Sequence, residues 1–432
     1  MNIVMLTNTY LPHVGGVARS VAAFSEEYRK RGHEVLIVAP EFPQTDSETD
    51  GDEKDVVRIS AIQNFNGSDF SVALPFSGHL SEKLNEFRPD IVHSHHPFLL
   101  GMTALRIARS RQLPLVFTHH TLYERYTHYV PADSQALKRF VIELATRYAN
   151  LASLVFAPSL SIAKLLHERG VKTSIAEVPT GVQLENFRGG DGARARARFG
   201  IPESALLLGH LGRLAPEKNL EFLAGAVAEF MQENTIAHFL IVGSGPTTEQ
   251  LTGQFAARGL ADRLHMPGTL QGEAQRDAYA AMDAFVFAST SETQGMVLTE
   301  AMAAGVPVIA LDANGTREVV RDGENGRLLP RQHSGDFVDA LQWLRDLPLS
   351  ERRKLHEQAL RTAEDFSMES CAERALQLYR PLLEHPWSLD DSLYAQWMRL
   401  RNLIGAQWEI IEGVTGAAGA AFTHTQTPSE RQ

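Results

Sequence analysis

The sequence predicts an α/β protein with two doubly wound parallel-sheet domains that face each other across a cleft. Three observations support this prediction. A chain of 432 residues is too long for one ordinary core. Apolar runs of strand length alternate with helical patterns throughout. A Pro-Thr-Gly turn at 179–181 leads into a glycine-rich polar stretch at 189–192, which is a typical domain boundary.

Composition limits the classes of function. The net charge of −11 argues against general nucleic-acid binding. A single cysteine, Cys371, excludes an internal disulfide and agrees with a reducing compartment. We read no signal peptide at the N-terminus and no apolar run of the roughly 20 residues that a membrane span needs. These features predict a cytoplasmic protein that is either free or attached to the inner face of the plasma membrane.

Positive charge is concentrated in the N-terminal third and could form one basic face that binds anionic lipid. The residues concerned are Arg29, Lys30, Arg31, Arg106, Arg109, Arg111, Lys138, Arg139 and Arg147.

The first domain opens as a Rossmann-like strand, loop, helix and strand. The strands are predicted at Asn2–Thr7 and Val35–Pro40, and the helix between them ends at Arg31-Gly32. The loop carries Gly15 and Gly16 but lacks the GxGxxG fingerprint. The two glycines either form a tight turn or leave room for an anionic ligand at the helix N-terminus.

Histidines follow the next two predicted strands. In Asp90–Ser94 and the residues after it, His93 and His95 alternate and so share one face. They either line the cleft between the domains or ligate a metal ion. The absence of neighbouring cysteines argues against the metal site. The strand Leu115–Thr118 is followed by His119 and His120, where a histidine can donate a hydrogen bond to a sugar hydroxyl or a reacting oxygen.

Tyrosines at positions 123, 126 and 129 come next at a spacing of three. They are consistent either with an amphipathic helix packed on the domain or with an aromatic acceptor site.

The second domain begins with a strand at Leu206–Leu211. Arg213 and Lys218 follow in one loop, where two cations can hold a diphosphate.

The most informative stretch runs from Phe285 to Ile309. It predicts a buried strand, a polar loop carrying Glu292, a helix that begins near Met296 and carries Glu300, and a second strand after Pro307. Two carboxylates beside a positive helix end suit a ligand that is anionic at one point and rich in hydroxyls, such as a nucleotide sugar.

This loop and helix resemble the paired-glutamate motif of the retaining nucleotide-sugar glycosyltransferases of family 4, the glycosyl transferases group 1. The resemblance covers residues 2–383 and implies the GT-B architecture of two Rossmann-like domains. It implies that Glu292 contacts the transferred sugar, that Glu300 contacts the ribose, and that His120 lies at the reaction centre. The implied catalytic residues are His120 and Glu292. The implied donor-binding residues are Gly16, Arg213, Lys218, Glu292, Gly295, Met296, Val297 and Glu300. The implied acceptor-binding residues are Gly15, Tyr123 and Tyr126. No metal ion or other cofactor is expected.

The segment 118–131, THHTLYERYTHYVP, is similar to the corresponding segment of bacterial diacylglycerol glucosyltransferases. We therefore expect glucose transfer from UDP-glucose to diacylglycerol or another lipid, with peripheral membrane association. The alternatives are a mannosyl- or hexosyltransferase acting on a polysaccharide or polyol, a phosphorylase or epimerase, and a non-catalytic sugar-nucleotide-binding module.

The family pattern also divides the chain. We expect an acceptor domain at 1–180, a donor domain at 181–366, a helix at 367–385 that Ser367 caps and that crosses back, and an extension at 386–432. The segment DGENGRLLP, 322–330, is expected to form a short hairpin. In the extension, Leu393, Trp397, Leu400 and Ile404 form an apolar helical stripe that we expect to pack on the protein body, before a disordered end.

Overall fold

Both halves of the chain fold as parallel sheets covered by helices. The computed structural model describes residues 1–12, 15–41, 55–62, 72–73, 78–125, 135–384 and 390–399. Because each central strand is buried on both faces, its sequence is a nearly continuous apolar run, as in VLIVA at 35–39. This burial pattern is the physical reason that the strands could be predicted from the sequence.

The first sheet contains seven parallel strands in the order β3-β2-β1-β6-β7-β8-β9. The strands of the N-terminal half are β1 Asn2–Leu6, β2 Glu34–Pro40, β3 Val56–Ile59, β4 Ala61–Ile62, β5 Val72–Ala73, β6 Ile91–Ser94, β7 Leu115–Thr118, β8 Leu154–Ala157 and β9 Ile175–Glu177. Its helices are α1 Gly16–Lys30, α2 Gly78–Phe87, α3 Leu100–Arg111, α4 Gln135–Ala149 and α5 Leu160–Glu168. The short strands β4 and β5 form a separate antiparallel pair.

The second sheet contains six parallel strands in the order β12-β11-β10-β13-β14-β15. The strands are β10 Leu206–Leu211, β11 Ala237–Val242, β12 Leu264–Gly268, β13 Ala284–Phe287, β14 Val308–Leu311 and β15 Gly326–Leu329. The helices are α6 Gly192–Phe199, α7 Leu220–Glu233, α8 Thr248–Ala256, α9 Gly272–Ala281, α10 Met296–Ala303, α11 Ser334–Asp346, α12 Leu349–Asp365 and α13 Met368–Leu383.

The strand order reverses once in each sheet. In the first sheet the reversal lies between β1 and β6, and in the second it lies between β10 and β13. At such a switch point the loops after the two strands diverge and leave a crevice at their carboxyl ends. The loops carrying Gly15, His95, Lys218 and Glu292 all begin at these two points.

Helix α13 returns to the first domain. The Ser367 hydroxyl caps it by accepting a hydrogen bond from the Ser370 amide at 3.3 Å. Its apolar side, which includes Cys371 and Tyr379, packs into the core formed by α1, β1 and β2. The helix therefore ties the end of the second domain to the first sheet.

The segment 391–399 is helical and packs on the other side of the first sheet. Trp397 is completely buried there, and its ring lies 5.7 Å from the ring of Tyr148 in α4. The predicted packing of this stripe on the protein body is confirmed for Trp397. Leu393 remains 38% exposed, and Leu400 and Ile404 lie outside the described residues.

The predicted hairpin at 322–330 is wrong. Residues 322–326 form a tight turn, but β15 then pairs in parallel with β14 and extends the sheet. Glycine at 326 is required by this pairing, since an added Cβ would lie 1.8 Å from the Val308 carbonyl oxygen. Among the described residues, no helix is both long enough and apolar enough to cross a membrane.

Candidate active site

The switch point of the second sheet brings Lys218 and Glu292 together. Lys218 ends a short 3-10 turn after β10, and Glu292 lies in the loop after β13. The Lys218 Nζ lies 2.6 Å from the Glu292 Oε1, and less than a fifth of either side chain is exposed. Burial alone would raise the pKa of the Glu292 carboxyl, but the Lys218 charge and the hydrogen bonds from Lys218 and Ser289 outweigh it and lower the pKa. Glu292 is therefore held as a carboxylate.

Two further contacts fix these loops to each other. The Ser291 hydroxyl donates to the Glu217 carbonyl oxygen at 3.0 Å, and the Asn219 side-chain amide donates to the Ala288 carbonyl oxygen at 3.1 Å. Arg213 is about half exposed and forms an ion pair with the Glu217 carboxylate. The Lys218 side chain and the Arg213 guanidinium thus belong to one braced loop, each beside an acidic partner.

Glu300 lies in the helix that follows the loop carrying Glu292. Its helix, α10, begins after Gly295, whose φ of 67° is strained for any residue with a Cβ. The Glu300 carboxylate is 5% exposed and accepts a hydrogen bond from the Tyr279 hydroxyl at 2.8 Å. Burial raises its pKa, while the Arg19 charge and the Tyr279 hydrogen bond act in the opposite direction. Met296 and Val297 form the half-buried first turn of this helix.

The N-terminus of α1 faces Glu300 from the first domain. Gly15 occupies the cap position, no side chain caps the helix, and a Cβ added to Gly16 would meet nothing within 4 Å. Space is therefore available next to the free N–H groups and the positive end of the helix dipole. Arg19, one turn later, places its Nη1 3.5 Å from the Glu300 Oε1 across the domain boundary.

His120 approaches the same region from the end of β7. The ring is partly exposed, and its Nε2 lies 2.8 Å from the His95 Nδ1. Its carbonyl oxygen accepts a hydrogen bond from the Thr293 hydroxyl at 2.8 Å. Burial lowers the pKa of His120 to about 3, so the ring is neutral near pH 7. His119, by contrast, is buried inside the first domain at 1% exposure.

Gln294 joins the loop after β13 to the segment between the domains. Its side-chain carbonyl accepts from the Thr180 amide at 2.6 Å, and its side-chain amide donates to the Thr180 carbonyl. The Ser159 hydroxyl also donates to the Thr293 carbonyl at 2.8 Å. Both ends of a buried amide are therefore used to hold the two domains in register.

The predicted acceptor residues are only partly described. Tyr123 begins a 3-10 turn, and its hydroxyl is buried without a hydrogen-bond partner among the described residues. Its ring packs 5.2 Å from Phe98 and 5.8 Å from His119, and burial raises its pKa. Tyr123 is therefore packed on the first domain, as in the first of the two interpretations of this segment. Tyr126 and Tyr129 lie outside the described residues.

The two ring nitrogens of His93 are both occupied. The Nδ1 lies 2.7 Å from the Tyr379 hydroxyl, and the Nε2 lies 2.7 Å from the Thr118 hydroxyl. His93 is thus a hydrogen-bonded core residue. In the part of the chain that the structure describes, no group of three or more His, Cys, Asp and Glu side chains could hold a metal ion.

Sequence reasoning missed Arg19 and Gln294. Arg19 stands one helical turn after Gly16, so it could have been noted as a cation beside a predicted anion site. For Gln294 the sequence gives no signal beyond its position between Glu292 and Gly295, because its partner is 114 residues away.

Both halves of the chain match known glycosyltransferase families. Residues 14–186 match Glycosyltransferase Family 4, and residues 192–362 match Glycosyl transferases group 1. The chain is 30% identical over 349 residues to the alpha-monoglucosyldiacylglycerol synthase of Streptococcus pneumoniae, covering 79% of this chain and 78% of that protein. It is 28% identical over 334 residues to the GDP-mannose-dependent alpha-mannosyltransferase of Mycobacterium tuberculosis, covering 76% of this chain and 84% of that protein.

A solved structure shares the fold. HepE of Anabaena in complex with UDP-glucose superimposes with a TM-score of 0.70 at 20% identity, covering 88% of this chain and 99% of that chain. This superposition and the two parallel-sheet domains show the GT-B fold. The sequence matches in both halves show that this chain is a glycosyltransferase that belongs to the glycosyl transferases group 1 family.

Proposed function

We propose that the protein transfers glucose from UDP-glucose, with retention of the anomeric configuration, to a hydroxyl of diacylglycerol or another lipid. The observation that carries the proposal is the pairing of two cations with two glutamates, Lys218 with Glu292 and Arg19 with Glu300. Such an arrangement suits a donor with an anionic diphosphate between two hydroxyl-rich groups.

Each residue has a distinct task in this proposal. The diphosphate is held by Arg213, Lys218 and the N-terminus of α1 at Gly16, which oppose the negative charge that grows as the sugar leaves. Glu292 orients the sugar, Glu300 accepts hydrogen bonds from the ribose, and His120 donates to the sugar or to the departing oxygen. These cations do the work of a metal ion, so we propose that no metal is needed.

The reaction is balanced without another reactant. The bond between the anomeric carbon and the diphosphate oxygen breaks, and UDP leaves with that electron pair. The acceptor oxygen bonds to the anomeric carbon from the same face, and the acceptor proton passes to the departing diphosphate. Closure of the two domains would exclude water, which otherwise competes as acceptor.

The lipid acceptor is supported by two observations. The pneumococcal relative and a second relative from Acholeplasma laidlawii, 27% identical, are both named alpha-monoglucosyldiacylglycerol synthase. In α4, Leu137, Phe140 and Val141 are only half-buried, next to the exposed Arg139. We propose that this part of α4 touches the cytoplasmic face of the membrane.

The broader basic face expected from the sequence contributes less. Arg29, Lys30, Arg31, Arg109 and Arg147 each lie beside a carboxylate that offsets their charge. We therefore propose that α4 attaches the protein to the membrane through its apolar side chains rather than through charge alone.

A transfer assay tests the proposal. Purified protein is offered UDP-glucose, UDP-galactose or GDP-mannose in the presence of EDTA, with diacylglycerol vesicles, soluble sugars or polyols as acceptors. An α-linked glucolipid formed only from UDP-glucose is expected. Transfer from GDP-mannose would favour the activity for which the mycobacterial relative is named. Transfer only to soluble acceptors would remove the lipid proposal, and a β-linked product would contradict retention.

A further inference from the structure

A buried histidine pair lies at the carboxyl edge of the first sheet. His95 follows β6 and His120 follows β7, and these strands are adjacent. His95 is 1% exposed, its Nδ1 lies 2.8 Å from the His120 Nε2, and the two rings are stacked with their centroids 5.1 Å apart. One proton must lie between these two nitrogens, because two lone pairs would repel each other.

The surroundings of His95 restrict where its own proton can be. Its Nε2 is buried and has no hydrogen-bond partner among the described residues. The nearest ring, His93, has its centroid 4.2 Å away, but both of its nitrogens are already bonded to Tyr379 and Thr118. His93 therefore cannot accept a hydrogen bond from His95.

Two neutral arrangements of the pair are possible. If His120 donates from Nε2, then His95 carries its proton on Nε2, where a buried N–H has no acceptor. If His95 donates from Nδ1, its Nε2 carries only a lone pair. A buried N–H without an acceptor is rarer in proteins than a buried acceptor that is under-used, so the second arrangement is favoured. Burial also lowers the pKa of both rings, which disfavours the charged form of either histidine with protons on both nitrogens.

We infer that His95 is a positioning residue that donates its Nδ1–H to the His120 Nε2 and thereby fixes His120 as the tautomer with its proton on Nδ1. The Nδ1 of the partly exposed His120 has no partner among the described residues, so this N–H is available to a ligand. The Thr293 hydroxyl holds the His120 backbone against the loop that carries Glu292.

This inference deepens the proposed function and rests on it for its meaning. A neutral His120 that presents an N–H can donate to a sugar hydroxyl or to a phosphate oxygen as negative charge develops there. It cannot accept a proton at that nitrogen. The structure thus assigns His120 the role of a hydrogen-bond donor and gives His95 the role of keeping it in that state.

Histidine tautomers can be measured directly. We would label the full-length protein with ¹⁵N-histidine, record long-range ¹H–¹⁵N correlations at pH 7.5, and assign His120 from the signal that His120→Gln removes. The inference predicts that His120 carries its proton on Nδ1. A proton on Nε2 of His120 would overturn it, whether or not any sugar transfer is ever detected.

Two substitutions separate positioning from packing. His95→Asn keeps an N–H near the place of Nδ1, whereas His95→Leu fills the space without a donor. We expect His95→Asn to retain the His120 tautomer, and His95→Leu to lose it and to lower kcat by about tenfold or more with little change in the KM for the donor. The same His120 tautomer and the same kcat in His95→Asn and His95→Leu would contradict the inference. If His95→Leu does not fold, the wild-type spectrum still decides.

Discussion

Glu292 and Glu300 are held in opposite electrostatic environments, although both are glutamates at one crevice. The pKa of Glu292 is lowered by Lys218 at 2.6 Å, against the effect of burial. The pKa of Glu300 is raised by burial, which Arg19 at 3.5 Å and Tyr279 only partly offset. As the pH falls, Glu300 is therefore protonated before Glu292. Donor binding that depends on the Glu300 carboxylate should weaken at a higher pH than binding that depends on Glu292.

Substituting Arg19 tests this relationship. In Arg19→Gln the cation that lowers the Glu300 pKa is gone, so the carboxylate is protonated at a higher pH. We expect UDP affinity, measured by calorimetry from pH 8 to 5, to fall on acidification in both proteins but at a higher pH in the variant. Arg353→Gln, on the exposed side of α12, is the matched control. Superimposable pH curves for Arg19→Gln and the wild type would show that Arg19 does not act on Glu300.

At the scale of elements, the loop after β13 is held in place from the other domain. Replacing Gln294 by Ala leaves both the N–H and the carbonyl of Thr180 without their partner. Unpaired buried groups of this kind cost about 1–3 kcal/mol. We expect Gln294→Ala to lower the free energy of unfolding by that amount in urea titrations and to raise the donor KM. A variant with wild-type stability and donor KM would mean that water can replace the two hydrogen bonds between Gln294 and Thr180.

The helix at 391–399 should stabilise the first domain through one side chain. Trp397 is fully buried against α4, so Trp397→Ala is expected to cost about 3–5 kcal/mol. Leu393 lies on the same helix but is 38% exposed, and Leu393→Ala should cost well below 1 kcal/mol. Chemical denaturation of the two variants measures the difference. Similar losses in both would indicate that the helix is held by contacts other than Trp397.

Individual elements differ in how well the sequence predicted them. The strands β2, β7 and β10 and the start of α10 agree with prediction, because a strand buried on both faces must be an apolar run. The pairing of β15 was mispredicted because a tight turn followed by an apolar run is also typical of a hairpin. The contact of Arg19 with Glu300 spans 281 residues, and only the packing of two domains creates it.

At the scale of the whole molecule, the first domain carries a cluster of neutral buried histidines. Burial lowers the pKa values of His93, His96 and His119 to about 3. Because the unfolded chain has ordinary values near 6.5, it binds more protons than the folded chain between these limits. The stabilisation is complete above pH 6.5 and is lost as the pH falls towards 3.

These histidines predict that the free energy of unfolding falls on acidification at a pH above the range in which the carboxylates are protonated. Each such histidine should remove up to about 1.4 kcal/mol of stability per pH unit below 6.5. Urea unfolding of the intact protein at pH 7.5, 6.5 and 5.5 measures the slope. We expect a decline between pH 6.5 and 5.5 that is much steeper than between 7.5 and 6.5. A free energy of unfolding that stays constant over the whole range would contradict neutral buried histidines.

In the proposed function, the cleft between the two domains binds a nucleotide sugar through Lys218 and Glu300. The most direct test is calorimetric titration of UDP-glucose into the wild type, Glu300→Gln, Lys218→Ala and the exposed control Lys354→Ala, all in EDTA. We expect the wild type and the control to bind equally. Glu300→Gln should bind at least about tenfold more weakly, which is about 1.4 kcal/mol, and Lys218→Ala should bind still less well. Equal affinity in all four proteins would contradict the assignment of the donor site.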